Sequence, residues 1–381
     1  MKITDVRVHV LSTPLEQPFF FSQGWVRRRS ATLVEVTTDT GLVGWGEAFA
    51  QGLEAPQIAA AAIEHALKPL VMDADPRDHE VLWHRLYHTT RDYGRKGTIV
   101  AAISAIDIAL WDLVGKHYGV PIYQLLGGAF RTRVQAYATG FYRVADPDES
   151  PRLAEEAVAH YEAGFRAMKV KLGYGVAADV RVMEAVTNAV AGRGVTLMVD
   201  TNHAYGVGDA VRLGHALAGY GLRWYEEPVA PEHLAGYREV RSRCAIPIAG
   251  GENEHTLYGY RDLLAAGAVD IAQPDIGSAG GFTGCRHIVA LAQSHGVQVN
   301  PHVWGSAIAQ AASLQLIAAV PVAHHSVFPE EPIFEYDRSA HPFRQQLITE
   351  PVLHREGWVE IPAGPGLGVE VDREVLRRYA V

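Results

Sequence analysis

The chain has 381 residues, of which 48% are hydrophobic and 20% charged, with a formal net charge of −9. That balance suits a folded chain large enough for one barrel and a smaller companion domain, and it excludes the basic field that draws proteins to nucleic acid or anionic lipid. Two cysteines, Cys244 and Cys285, sit at neither metal nor disulfide spacing, which points to a reducing compartment.

Charge breaks up the apolar residues of positions 1–7, so the start does not read as a signal peptide and the expected location is cytoplasmic. Strand-like alternation covers 2–11, 31–38 and 41–48, the last after an Asp39-Thr40-Gly41 turn. Between the first two runs, Phe19-Phe20-Phe21-Ser22-Gln23-Gly24-Trp25-Val26-Arg27-Arg28-Arg29 reads in two ways. It is a loop whose Trp25, Arg27, Arg28 and Arg29 meet an anionic substrate, or a solvated charge run on a hairpin. Helical periodicity then runs over 56–70, 79–91 and 98–117, so residues 1–129 read as an α+β domain, strands first and helices after.

From Val134 the pattern becomes a strand–helix alternation, with strands expected at 134–139, 167–172, 196–199, 222–225, 246–249, 269–272, 297–300 and 333–336. These close an eight-stranded βα barrel over 130–336. Residues 337–381 lack the alternation and are expected to pack back on the first domain. A doubly wound open sheet is the alternative, but no Gly-rich dinucleotide loop follows an early strand. The uncharged stretch 307–323 contains Gln310, Ser313, Gln315 and Pro321 and reads as a buried helix, not a membrane span.

In a barrel the chemistry lies at the C-terminal ends of the strands. Those positions hold Lys171, Asp200, Glu226, Glu252, Asp275 and His302, each about one βα unit from the last. In Met168-Lys169-Val170-Lys171-Leu172 the apolar residues share one face and Lys169 and Lys171 the other. Either both lysines point into the barrel, with pKa values depressed by burial and by each other, or the strand is an edge with solvated lysines. Three carboxylates converging from adjacent strands repel unless a cation sits among them, and an all-oxygen set suits Mg²⁺ ahead of Mn²⁺ or Ca²⁺. Glu227 fits a helix-capping role instead. Asp275 beside His302 would fix the imidazole tautomer and make His302 a second acid/base group. Glu335 would come from the eighth strand, though its interval from His302 is longer than the others. Asn202 and His203 read as substrate contacts or as loop residues.

This ordered set (Lys-x-Lys, Asp, Glu within Glu226-Glu227-Pro228, Glu, then the Asp/His pair) resembles the enolase superfamily in its mandelate racemase subgroup. The run Ala105-Ile106-Asp107-Ile108-Ala109-Leu110-Trp111-Asp112-Leu113 and the later Leu125-Leu126-Gly127-Gly128 are similar to the segment joining cap and barrel there. The resemblance implies an N-terminal α+β capping domain, a (β/α)7β barrel, a symmetric homo-oligomer, and a loop around 19–29 closing over substrate. It also implies Mg²⁺-assisted removal of the proton α to a carboxylate through an ene-diolate. Lys171 and His302 would be the bases, with Lys169 near the carboxylate and a protonated Glu335 donating to the ene-diolate. Gly44-Trp45-Gly46-Glu47, Asn300-Pro301-His302-Val303-Trp304-Gly305 and Pro342-Phe343-Arg344-Gln345 look like the acid-sugar members, particularly aldarolactone cycloisomerases. A small carboxylate, an acid sugar or its lactone, is therefore the expected partner. Dehydration and epimerisation are the competing outcomes, and an idle binding barrel is the non-enzymatic one.

Overall fold

The computed structural model describes residues 1–50, 52–53, 55–144 and 148–381. A three-stranded antiparallel sheet comes first: β1 (Ile3–Phe21), β2 (Gly24–Thr38) and β3 (Val43–Ala48). The stretch 19–29 is not a loop. β1 and β2 stay paired out to Phe21 and Gly24, so Ser22 and Gln23 alone make the turn. Cross-strand aromatics extend the hairpin, with the Phe20 and Trp25 rings 4.6 Å apart.

Helices cover one face of this sheet, with His79–Thr90 packed against Thr98–Tyr118, which lies on the strands. The second is long and apolar enough to cross a membrane, yet 89% of its apolar window is buried within the protein. β3 lies directly on it, because Gly44 and Gly46 carry no side chain: a Cβ would stand 2.2 Å from Ala109 O and 1.9 Å from Ala105 O. Gly46→Ala is therefore expected to destabilise the protein by about 1–3 kcal/mol through overpacking. Thermal melting checks this, and an unchanged Tm would contradict the close approach.

The barrel strands are β4 (Arg133–Thr139), β5 (Ala167–Lys171), β6 (Thr196–Asp200), β7 (Tyr225–Glu226), β8 (Ile248–Gly250), β9 (Ile271–Ala272), β10 (Gln298–Val299) and β11 (Phe334–Asp337). They run parallel from β4 to β10 in chain order, and β11 pairs with β4. Side chains bridge β10 to β11: Ile333 N donates to Asn300 Oδ1 at 2.8 Å and Val303 N to Glu335 Oε2 at 3.1 Å. The tail divides its contacts. β12 (His354–Arg355) and β13 (Trp358–Glu360) form a hairpin whose second strand pairs with β4 of the barrel. The helix Arg373–Tyr379 then returns to the cap, where Arg373 meets Glu35 at 2.6 Å and Val381 N donates to Val10 O.

Cap and barrel meet through buried carboxylates. Asp107 Oδ2, on Thr98–Tyr118, accepts from Thr283 N at 2.9 Å, in the first turn of the barrel helix Gly281–Ser294. Burial pushes the Asp107 carboxyl up from 3.8 to about 7, with the Thr283 bonds opposing it. The folded-state value exceeds the unfolded one, so folding favours the protonated form. Stability from this group is present below about pH 4 and lost as pH rises towards 7, on the order of 4 kcal/mol. An Asp107→Asn variant should show a flatter dependence of unfolding free energy on pH across that window, and an unchanged slope would refute the assignment.

Candidate active site

Met168 and Val170 of β5 pack outward into the helix-covered core, which turns Lys169 and Lys171 into the barrel, where both are buried. Lys169 Nζ lies 2.6 Å from Glu226 Oε1 and 2.8 Å from Glu335 Oε1. Lys171 Nζ lies 2.5 Å from Asp200 Oδ2 and 3.1 Å from Asn202 Oδ1.

Asp200, Glu226 and Glu252, from the ends of β6 and β7 and just past β8, are all buried and bring one oxygen each within 4.8 Å of the others. Supporting donors aim them: Trp224 Nε1 and Gln273 Nε2 each donate to Glu226 Oε2 at 2.8 Å, and Asn202 N to Asp200 Oδ1 at 2.8 Å. Glu252 Oε2 is buried with no hydrogen-bond partner. Converging carboxylates and oxygen-only donors, one of them a buried Glu252 oxygen whose contact among the described residues is the ionic one to His302 Nε2 at 3.3 Å, fit a hard divalent cation. Glu227 joins them as a fourth buried acid. It sits at φ 44° and accepts from Asn253 Nδ2 at 2.8 Å, so it caps no helix. Burial, then Glu252 and Asp200, push its pKa well up.

Across the mouth, His302 Nδ1 lies 2.8 Å from Asp275 Oδ2 and its Nε2 3.3 Å from Glu252 Oε2. Burial lowers the imidazole pKa, but Glu252, Glu335 and Asp275 outweigh it and raise the value to about 10. The lysines follow the same rule, against the expectation that they depress one another. Burial pulls both lysines down, but Glu226 and Glu335 hold Lys169 well above its ordinary value, and Asp200 raises Lys171. Carboxylates from other strands outnumber the ammonium groups, so the expected sign is reversed. Nor is Glu335 a protonated donor. Burial would raise it, but Lys169 and His302 hold it far below the usual range, and it accepts from Thr139 Oγ1 and Val303 N.

Of the arginines expected to meet substrate, the structure commits Arg29 elsewhere. Arg29 is 2% exposed, and its guanidinium is taken by Asp337 at 3.3 Å, Ser339 Oγ and Ala340 O, between the Phe19 and Trp304 rings. Arg28 is exposed and donates to Ser12 Oγ, while Arg27 is exposed over the half-exposed Trp25 ring. Asp337 serves two buried guanidiniums, Arg29 and Arg344, the latter at 2.6 Å. Asp337→Ala would leave both without a carboxylate, an expected cost of about 3–5 kcal/mol. Denaturant unfolding reads it, and a loss below about 1 kcal/mol would reject the pairing as a structural element.

What lines the cavity is aromatic. Phe21 from the hairpin, Phe49 just past β3 and Trp304 enclose the space between Lys171, Asn202, Glu252 and His302, leaving about 20 Å³. Phe49 stands edge-on to the His302 ring at 5.6 Å. Phe21 belongs to the segment expected to close over substrate and Trp304 to the one resembling acid-sugar enzymes, whereas nothing in the sequence pattern singles out Phe49. Ser22 Oγ and Gln23 Nε2 tie the hairpin tip to the Thr201 and Asn202 carbonyls at 2.9 and 2.6 Å. Asn202 and His203 both hold left-handed backbone, φ 42° and 53°. Asn202 reaches the cavity, whereas His203 is half-buried outside its lining, its N–H donating to Glu227 O.

An α+β cap seated over a parallel barrel with a buried acidic triad at its mouth defines an enzyme of the enolase superfamily. Residues 3–127 match the mandelate racemase/muconate lactonizing enzyme N-terminal domain, and 152–375 the enolase C-terminal domain-like family. The chain belongs to the mandelate racemase/muconate lactonizing enzyme family. It is 45% identical over 379 residues to a D-galactarolactone cycloisomerase of Agrobacterium fabrum, covering 100% of this chain and 99% of that one. An arabinonate dehydratase of Saccharolobus solfataricus is 32% identical over 347 residues, 91% of this chain and 89% of that one. Among solved structures, the 3,6-anhydro-D-galactonate cycloisomerase of Zobellia galactanivorans superposes with a TM-score of 0.89 at 36% identity, covering 100% of both chains. A Streptomyces coelicolor racemase with bound magnesium superposes with a TM-score of 0.89 at 29% identity, again over 100% of both.

Proposed function

We propose that this enzyme removes the proton α to the carboxylate of an acid-sugar lactone and opens the ring by β-elimination. Asp200, Glu226 and Glu252 would hold Mg²⁺, which when bound supplies positive charge against the charge developing on the substrate carboxylate. The observation that carries the reading is the placing of two acid/base groups, Lys171 and the Asp275-oriented His302, on either side of that triad. Positive charge held by the triad would offset the carboxylates that keep both groups protonated, so that one of them can take the α-proton. The Cα–H electron pair becomes the Cα=Cβ bond, the Cβ–O bond to the ring breaks, and the ring oxygen leaves as a carboxylate. Protonation of the resulting enol at carbon yields the keto acid. Lys169, beside Glu226 and Glu335, is placed to donate towards a carboxylate oxygen.

The lining favours a substrate with one carboxylate. Among the described residues its cationic groups are Lys171 and His302, with Lys169 behind, and the hairpin arginines are engaged elsewhere or exposed. A lactone carries a single carboxylate where the open-chain diacid carries two. Similarity to both a cycloisomerase and a dehydratase keeps water loss from a linear acid sugar as the second reading. NMR of acid sugars and their lactones with the enzyme in D₂O and Mg²⁺ separates them. A ring-opened keto acid is expected. Water loss would favour the second reading, and α-deuteration alone an epimerase. No exchange with any α-hydroxy acid would overturn all three.

A further inference from the structure

Glu47 belongs to a segment the reaction leaves unused, yet it is 2% exposed and its carboxylate is fully engaged. It stands near the end of β3 in the cap and reaches into the barrel. Oε1 accepts from Ser306 N at 2.9 Å, and Oε2 from Ser306 Oγ at 2.5 Å and Ala309 N at 3.1 Å. Those are orphan donors at the first turn of the barrel helix Ala307–Ala319, so an anion from one domain caps a helix of the other. Gly305 leaves the room for it: a Cβ there would lie 2.8 Å from Glu47 Oε1.

The stretch from His302 to Ser306 forms neither helix nor extended strand and is held residue by residue. Asp275 grips the imidazole, Glu335 the Val303 N–H, and Arg344 the Trp304 and Gly305 carbonyls. Glu47 grips Ser306 from the cap, and Phe49, two residues on, meets the His302 ring. We infer that Glu47 is a positioning residue for His302, fixing the loop that carries the imidazole and tying its geometry to the seating of the cap. This rests on the acid/base reading of His302 given above.

The competing role is a helix cap that matters for stability alone. Glu47→Gln removes the charge and sets an amide N–H₂ against the helix donors, while Glu47→Asp keeps the carboxylate. With Mg²⁺ and a pair of acid sugars epimeric at the α-carbon, α-proton exchange in D₂O reads each face separately. Glu47→Gln should slow exchange on the His302 face by about 10–100-fold and leave the Lys171 face within about twofold, with Glu47→Asp recovering much of the loss. Equal loss on both faces, or none, would overturn the inference. Absence of exchange by the unmodified enzyme would instead overturn the functional reading. A crystal structure of Glu47→Gln decides the point without turnover: a displaced 302–306 loop with a lengthened His302–Asp275 contact is expected, and an unmoved loop refutes it.

Discussion

Glu226→Gln is expected to weaken divalent-metal binding by well over about 10²-fold, since changing even an outer-shell partner of a metal ligand costs about 10–100-fold. Turnover should fall by about 10³-fold or more, because positive charge opposite a developing anion contributes several kcal/mol to the barrier. Glu226 is the most constrained of the three acids. It takes Lys169 on one oxygen at 2.6 Å, and Trp224 and Gln273 on the other at 2.8 Å each. All three are donors, so a glutamine would turn its own N–H₂ towards at least one of them and leave buried donors opposed. Lys169 would keep Glu335 as its partner, which limits the structural damage. Calorimetric titration with Mg²⁺ or Mn²⁺, alongside turnover before and after EDTA, is the measurement. Wild-type metal affinity in Glu226→Gln would remove the triad from the centre of the chemistry.

The barrel was legible because one βα unit repeats: its turn residues and period-two runs recur at nearly constant spacing, so the strand ends could be located. Once located, they delivered Asp200, Glu226, Glu252, Asp275 and His302 without any knowledge of contacts. What the pattern could not carry was pairing across long separations. Arg29 meets Asp337 308 positions away, so three adjacent arginines looked free when one was already committed. The direction of the lysine pKa shifts is hidden from a local reading for the same reason. The local motif shows two ammonium groups in one strand, whereas the acids that dominate them come from β6, β7 and β11. Phe49 is not legible because a lone aromatic at the end of a strand reads as core, and only the assembled cap turns it, with Phe21, over the cavity.

Replacement of Lys171 and of His302, the two bases of the proposed reaction, separates the chemical outcomes more sharply than any product survey. Lys171 enters the cavity from β5 and His302 from beyond β10, so in the proposed reaction each would address a different face of the α-carbon. Whichever faces the departing proton should cost about 10²–10⁴-fold in kcat when removed, through Lys171→Ala or His302→Asn. The fate of the other residue depends on the leaving group. A ring ester oxygen departs as a stable carboxylate and needs no proton, so loss of the second base should cost less than about tenfold in ring opening. A hydroxyl leaves poorly without an acid, and water loss should then suffer in both variants by about 10²-fold or more. Asp275→Asn sharpens the comparison, since it spares the metal site but removes the acceptor that orients the His302 Nδ1–H. Single-turnover rates for the three variants on a lactone and on a linear acid sugar provide the test. One severe and one mild loss on the lactone is the expected result; two severe losses there would replace ring opening with a reaction whose leaving group must be protonated.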